Sequence, residues 1–449
     1  MTLEEELKIT VNSEKAQDNK VVAKVVVDAK DVNAAIKKAY KEIANKYSFQ
    51  GFRKGKTPRP VIDGIVGRDA VMAEATNDLI ANMEPAMVEE LNIVPLGDVD
   101  YGEDAPLVVE GKDYEVEATI TVRPECELEN YDAPEINMPP AEATDAEIDE
   151  QIKTLQNYHT TFEEIEEDRG VEAEDICDAK IENVENGESL ENEHALISMA
   201  MQTVPAEIID AVAGMKKGET KEVTVELPAE EGEEPVKATV KVTVNSIREK
   251  KTPELTDEFV KEAFQFDGIE ALRDAIKIEI EKDKERTLPS LKEDRLVAEI
   301  AKRLKLEETP KEYVEQVFQE IAQEFLANLQ RQGMTLDNFL QMRRISVQQF
   351  MDDLHVQAEE HARQSLALDA LAAKLKVEAT AEDIKAEFER AQLPNIEETL
   401  KSFKEAGQLP AIRESIKRSK ALNWLVDNAK VTEVDEIAER QNKENKDAE

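Results

Sequence analysis

The sequence predicts a multidomain α+β protein: an α+β N-terminal domain, a small β-rich middle domain and an all-α C-terminal domain. Three observations carry this reading. The chain has 449 residues, room for about three domains of ~150 residues each. β-branched, alternating stretches are confined to two regions before Pro253, and helical periodicity takes over after it. Hydrophobic residues make up 41% and charged residues 35%, the profile of a helix-rich, highly soluble protein that can bury real cores.

The elements follow in order. NKVVAKVVVDAK, Asn19 to Lys30, reads as a strand. Asp31 is the expected N-cap of the next helix, with Val32, Ile36, Ala39, Tyr40 and Ile43 at helical spacing. A basic loop follows and ends at Pro58 and Pro60, where Pro60 can open the short helix VIDGIV. Asp69 to Leu91 reads as a longer helix striped by Val71, Ala75, Leu79 and Met83. Leu107 to Val122 reads as two strands turning near Gly111.

ENYDAPEINMPPAEATD is extended and proline-bearing. Thr144 and Glu147 then have capping-box spacing, and Ile148, Ile152 and Leu155 form the stripe of the helix they open. ICDAKIENV, HALISMAM, TKEVTVELP and VKATVKVTVNSI read as short strands, with a helix from VPAEIID ending at Gly214 or Gly218. After Pro253 one stripe runs through Val314, Val317, Phe318, Ile321, Phe325 and Leu329. Ile345, Phe350, Met351 and Leu354 continue it, and Ser365–Leu375 and Ile412–Trp424 are further helices. The expected partition is residues 1–124, a connector 125–167, residues 168–250, residues 251–432, and a polar, frayed tail over 433–449.

Composition excludes several functions. Cys126 and Cys177 have no CxxC or Cys/His spacing and read as ordinary thiols of a reducing compartment. The opening MTLEEELKITVNSEK lacks the charge and apolar pattern of a secretory signal. No apolar run reaches the ~18 residues of a membrane span, so a cytoplasmic protein with no membrane partner is expected. His159, His194, His355 and His361 show no metal-ligand spacing, and GxSxG, HExxH and GxGxxG after a strand are absent. No metal and no cofactor is implied.

One local feature opposes the overall charge. Lys plus Arg total 57 against 100 Asp plus Glu, a formal net charge of −43. From Ile43 to Ile62 there is nevertheless no acidic residue, while Lys46, Arg53, Lys54, Lys56 and Arg59 fall in that window. An acidic surface repels nucleic acid, so RNA contact has to be local and DNA is not an expected partner. Gly55-Lys56-Thr57 looks like the end of a phosphate-binding P-loop, but Gln50 stands where its first glycine belongs and Pro58 interrupts the helix it needs. The nucleotide-site reading is rejected. Read from residue types alone, the loop is either an RNA or ribosome contact or a solvated basic turn.

GFRKGKTP, Gly51 to Pro58, resembles the ribosome-binding signature of the bacterial trigger factor family, chaperones that meet nascent chains at the exit tunnel. TDAEIDEQIKTLQ is similar to that family's linker and TPELTDEFVKEAF to its entry into the C-terminal domain. The resemblance implies a ribosome-binding N-terminal domain, an FK506-binding-like middle domain and a C-terminal chaperone domain with helical arms. Carried over by position, it implies that Phe52, Arg53 and Lys54 dock on the large ribosomal subunit near the exit tunnel. Gly51 and Gly55 shape the loop, and Lys56 and Pro58 complete the signature. Arg supplies a planar fork and Lys a point charge for phosphates or acidic groups. Phe52 either inserts into an apolar crevice of the partner or anchors the loop to its own domain. Unfolded nascent polypeptides are the implied clients, and a weak homodimer the implied state off the ribosome.

The middle segment departs from that family. A peptidyl-prolyl cis-trans isomerase of this type holds the substrate proline among aromatic rings. Here Lys180 and Ile181 stand where Asp-Phe is expected, Leu190 where a phenylalanine is expected, and the Ile-Pro-Gly-Phe turn reads Val204-Pro205-Ala206-Glu207. Between Phe162 and Phe259 there is no Phe, Tyr or Trp. Isomerase activity is therefore expected to be weak or lost, the alternative being that aromatics reach in from elsewhere. For the arms, Phe318, Phe325, Leu329, Met334, Leu336, Phe339, Met342, Phe350 and Met351 are the candidates for a client-binding cradle, each weighed against simple core packing. The competing functions are an active prolyl isomerase and a ribosome-independent holdase.

Overall fold

The computed structural model describes residues 9–15, 19–102, 105–165, 169–199, 204–227 and 236–447. The opening MTLEEELK, the boundary at Asp168 and the last residues of HALISMAM and TKEVTVELP lie outside them. The first elements are β1 (Ile9–Lys15), β2 (Lys20–Val27), α1 (Ala29–Lys46), α2 (Arg59–Val66), α3 (Arg68–Leu91), β3 (Tyr114–Thr121) and β4 (Glu135–Met138). Next come α4 (Asp145–Tyr158), β5 (Thr161–Glu164), β6 (Ile176–Glu185), β7 (Asn192–Ser198), α5 (Ala206–Val212), β8 (Thr220–Leu227) and β9 (Val236–Lys251). The remainder is α6 (Asp257–Phe264), α7 (Ile269–Ala301), α8 (Lys311–Arg331), α9 (Leu336–Arg343), α10 (Val347–Leu375), α11 (Ala381–Arg390), α12 (Ile396–Glu405), α13 (Leu409–Asn428), β10 (Lys430–Glu433) and α14 (Glu436–Asp447). The chain forms two compact units, one of residues 1–138 and 289–432, the other of 139–288 and 433–449.

In the first unit, β1, β2 and β3 form an antiparallel sheet in that order. Along β2 the alternation buries Val21, Ala23, Val25 and Val27, and the last three pack with Ile36, Ala39 and Ile43 of α1 and Leu79, Met83 and Met87 of α3. Three local expectations are corrected. The cap of α1 is Asp28, whose side chain accepts from the Lys30 N–H, and Asp31 lies in the first turn. Leu107–Glu110 is not a strand: the Val108 N–H donates to Thr76 Oγ1 at 3.0 Å, so a helix side chain takes the place of a ladder partner. β1 carries little sequence signal of a strand, since Ile9 and Val11 are only half-buried and its remaining residues are polar.

The helical part of this unit is built on α10, which packs against α8 and α13. Ser346–Gln349 and Thr380–Asp383 close capping boxes at the starts of α10 and α11. α12 and α13 also touch α3. Arg123, just past β3, pairs with Asp369 of α10 at 2.9 Å and with Glu414 of α13, while its guanidinium lies 5.7 Å from the Tyr313 ring centre. Arg413 reaches Glu89 and Asn92 at 2.6 and 2.7 Å. The N-terminal sheet domain and the C-terminal helices are thus joined by half-buried cations.

The second unit contains a five-stranded antiparallel sheet. The long β9 has β6 on one side and β5 and β8 on the other, and β7 flanks β6. Its core is Cys177, Ala179, Ile181, Ile197, Ile208, Val212, Val225, Val240, Val242 and Val244, all aliphatic or thiol. The aromatic cluster of this unit lies outside that core, where His159, Phe259 and Phe264 meet edge to face with centroids 5.0–5.6 Å apart. The capping box expected at Thr144 and Glu147 is present. The expected frayed tail is instead largely α14, held by a two-pronged Arg440–Glu150 contact at 2.7 Å and by Asp435 accepting the Ala438 N–H. A contact this distant in sequence cannot be read from a polar composition.

Lys284 ties the connector to α7. Its ammonium is 2.6 Å from Glu147 Oε2 and donates to the carbonyls of Pro140 and Glu142 at 2.8 and 2.9 Å. With Lys284 only 8% exposed, its removal strands a half-dry carboxylate and two carbonyls. Lys284→Ala is expected to lower the opening free energy of α4 by about 2–4 kcal/mol, read by amide hydrogen exchange in the full chain. Adding Glu147→Gln should restore part of it.

Candidate functional site

The basic loop leaves α1 at Tyr47 and re-enters regular structure at α2. Its cations are free to be exposed because the backbone, not the side chains, holds it. The Gly55 N–H donates to the Ala44 carbonyl at 2.8 Å, tying the loop back onto the last turn of α1. Two turns lie inside it, Phe52 N–H to Phe49 carbonyl at 3.1 Å and Lys56 N–H to Arg53 carbonyl at 2.9 Å. Gly51 and Gly55 have φ of +86° and +78°, a conformation that costs a side chain little only when it is absent. At Gly55 a Cβ would also meet Asn45 Oδ1 at 2.3 Å.

Two phenylalanines divide the work. Phe49 is 5% exposed and belongs to the domain core, whereas Phe52 is 41% exposed. Phe52 therefore does not anchor the loop to its own domain; Phe49 does. Phe49 was not singled out by the sequence, although its place six residues after Ile43 and beside the glycine turn is the signal that could have found it. Asn45 was missed as well, since its packing on Gly55 depends on the fold.

The five cations of the window differ. Arg59 is engaged internally, 4.7 Å from the Tyr40 ring centre and 2.9 Å from Glu110. The Tyr40 hydroxyl donates to Asp63 at 2.5 Å, and burial followed by the Asp63 bond and charge pushes its pKa up to about 12. This brace fixes the start of α2, which Pro58 caps without a side-chain bond. Lys46 lies 5.8 Å from the Tyr47 ring centre. Arg53, Lys54 and Lys56 are exposed, and among the described residues no carboxylate pairs with them. Together with Phe52 they present an apolar ring flanked by cations to solvent. The amides of Gly55 and Lys56 are already used by carbonyls, which leaves no phosphate cradle of the P-loop kind.

The remaining candidates fall into two groups. In the middle sheet Ile181 is core, Leu190 and Val204 pack against that core, and Pro205 caps α5 with Ala206 and Glu207 exposed at its start. Lys180, between buried Ala179 and Ile181, turns to the other face and pairs with Glu182 at 2.9 Å. Along α8–α10, Phe318 and Leu329 are buried, the former stacked on His355 with centroids 4.0 Å apart. Phe325, Phe339 and Phe350 interlock with one another and are half-buried, as are Met334 and Leu336. Met342 and Met351 are exposed, together with Leu326, Val347 and Val356, which periodicity did not single out.

Gly55→Val should strain the positive φ and push on Asn45, a local cost of about 1–3 kcal/mol. Exchange of the amides of residues 52–56 is expected to rise while the sheet amides of β1–β3 keep their protection.

Comparison with known proteins follows the same division. Residues 9–155 match the model of the bacterial trigger factor protein, and residues 268–427 match that of its C-terminus. The trigger factor of Lysinibacillus sphaericus is 32% identical over 94% of this chain and 99% of its own. That of Brevibacillus brevis is 31% identical over 85% of this chain and 89% of its own. A solved structure of the trigger factor chaperone, 19% identical, covers 93% of this chain and 99% of its own with a TM-score of 0.36. Matched at both ends by family models and by relatives along nearly their whole length, this chain belongs to the bacterial trigger factor family.

Proposed function

We propose that this chain is a ribosome-associated chaperone that docks through Gly51–Pro58 and holds nascent polypeptides near the exit tunnel, delaying their misfolding. The observation that carries the reading is an exposed Phe52 flanked by unpaired Arg53 and Lys54 on a body of net charge −43. The rest of such a surface is repelled by ribosomal RNA where the loop is attracted. The working partition is residues 1–124 for docking, 168–250 as an accessory client-contacting module and 251–432 as chaperone arms. Exposed Met342, Met351, Leu326 and Val347 are the best-placed cradle residues of those arms, since flexible thioethers suit many clients. The setting is the cytoplasm, and a weak dimer is the state away from the ribosome.

The prolyl isomerase activity of the family is weak or lost here. The supporting observation is a middle-sheet core assembled without an aromatic ring. Twisting a prolyl amide requires a dry pocket that favours the broken conjugation, and aliphatic Ile181, Leu190 and Val204 offer no ring faces to it. The full chain should turn over a proline peptide far more slowly than an FK506-binding-type enzyme. Comparable turnover would establish the rival reading of an active folding catalyst.

Docking is tested by co-sedimentation with purified ribosomes. Phe52→Ala, Arg53→Ala and Lys54→Ala combined should weaken binding by about tenfold or more, and binding of the natural chain should fall as salt rises. A triple variant that binds as well as the natural chain would favour a ribosome-independent holdase.

A further inference from the structure

We propose that the turn joining α9 to α10 selects acidic, apolar segments among the polypeptides this chain holds. The inference rests on the chaperone reading above and names the class of client at that site. Phe325 of α8, Phe339 of α9 and Phe350 of α10 interlock with ring centres 5.0–6.2 Å apart, which packs the three helices together there. Met342, Val347 and Met351 are exposed, and the last two share one face of α10 at i, i+4 spacing. Arg343 and Arg344 stand exposed between Met342 and Val347.

Charge decides what fits. Between Glu324 and Asp352 the sequence holds Arg331, Arg343 and Arg344 against one carboxylate, Asp337, in a chain of net charge −43. The cations of α13 are used inside the fold, where Arg413, Arg418 and Lys420 each face a carboxylate. Among the described residues no carboxylate pairs with Arg343 or Arg344. Asp352, the first carboxylate past the turn, accepts instead from Gln348 Nε2 at 2.8 Å. The Arg343 guanidinium lies 5.8 Å from the Phe339 ring centre, a contact that steadies the side chain but takes none of its N–H donors. The negative end of α9 favours cations there, yet it too leaves their donors open.

A carboxylate on an extended client meets a planar arginine fork in a two-pronged bond. The apolar residues beside it meet Met342, Val347 and Met351, whose thioethers adapt to varied shapes. Nucleic acid fits less well. The three phenylalanines face one another, so thioether and aliphatic surface, not open ring faces, is what bases would find. A strand charged at every nucleotide also runs onto Glu320 and Glu324 before the cluster, or Asp352 and Asp353 after it. A polypeptide with a carboxylate set among apolar residues meets the arginines without that cost. Because the body as a whole repels acidic chains, the turn offsets that repulsion for an acidic client.

The test compares two fluorescein-labelled unfolded peptides of one apolar sequence, carrying glutamates in one and glutamines in the other at the same positions. In the full chain, Arg343→Glu with Arg344→Glu should weaken the glutamate peptide about fivefold more than the glutamine peptide. Arg343→Gln with Arg344→Gln should give a smaller loss of the same sign, and added salt should shrink the difference in the natural chain. Equal effects of the reversal on both peptides, or none on either, overturn the proposal. If the reversal leaves the ratio of the two peptides unchanged but lowers co-sedimentation with ribosomes, or with phosphatidylserine vesicles, the turn meets RNA or membrane and the proposal fails. A natural chain that binds neither peptide sinks the chaperone reading as well. One that binds both, with a ratio the reversal does not alter, sinks this inference alone.

Discussion

A chain with 43 excess negative charges must bring its segments together against its own repulsion, and buried or half-buried cations are where it does so. Arg123 gathers Asp369 and Glu414 from two helices onto the end of β3. Arg413 holds the C-terminal end of α3 through Glu89 and Asn92. In the other unit Lys284 collects Glu147 and two carbonyls, and Arg169 forks onto buried Asp175 at 2.5 and 3.1 Å. Each clasp lies where a carboxylate would otherwise stand unpaired in a poorly solvated site, and all but Arg169–Asp175 join residues far apart in sequence.

This use of cations makes the loop conspicuous. Arg123, Arg169, Lys284 and Arg413 each face a carboxylate, whereas among the described residues none pairs with the exposed Arg53, Lys54 and Lys56, and the loop does not need them for its shape. Backbone bonds from Gly55 and the burial of Phe49 hold it instead. Side chains released from structural duty are left to solvent.

The middle sheet shows the reverse economy. Alternating valines and isoleucines of β6, β8 and β9 fill its interior, and the sheet folds well without rings. A β-sheet core asks only for apolar volume at alternate positions, so the fold needs no ring in its interior. The helical arms show the same separation, because Phe325, Phe339 and Phe350 are committed to each other and only the methionines and nearby aliphatics remain outward.

Much of this was legible in the chain itself. The class of each domain, the capping box at Thr144 and Glu147, the strands of the middle sheet and the signature loop all depend on residues within a few positions of one another, and short-range spacing records such interactions directly. What only the tertiary structure decided involves distant partners. Composition could not show that Phe49 rather than Phe52 is the anchor, that Asn45 covers Gly55, or that the polar C-terminal segment is a helix held by Glu150. Nor could it show which cations become clasps. A charge or ring has the same local pattern whether it is buried or exposed, and its role is set by what the fold brings against it from tens or hundreds of residues away.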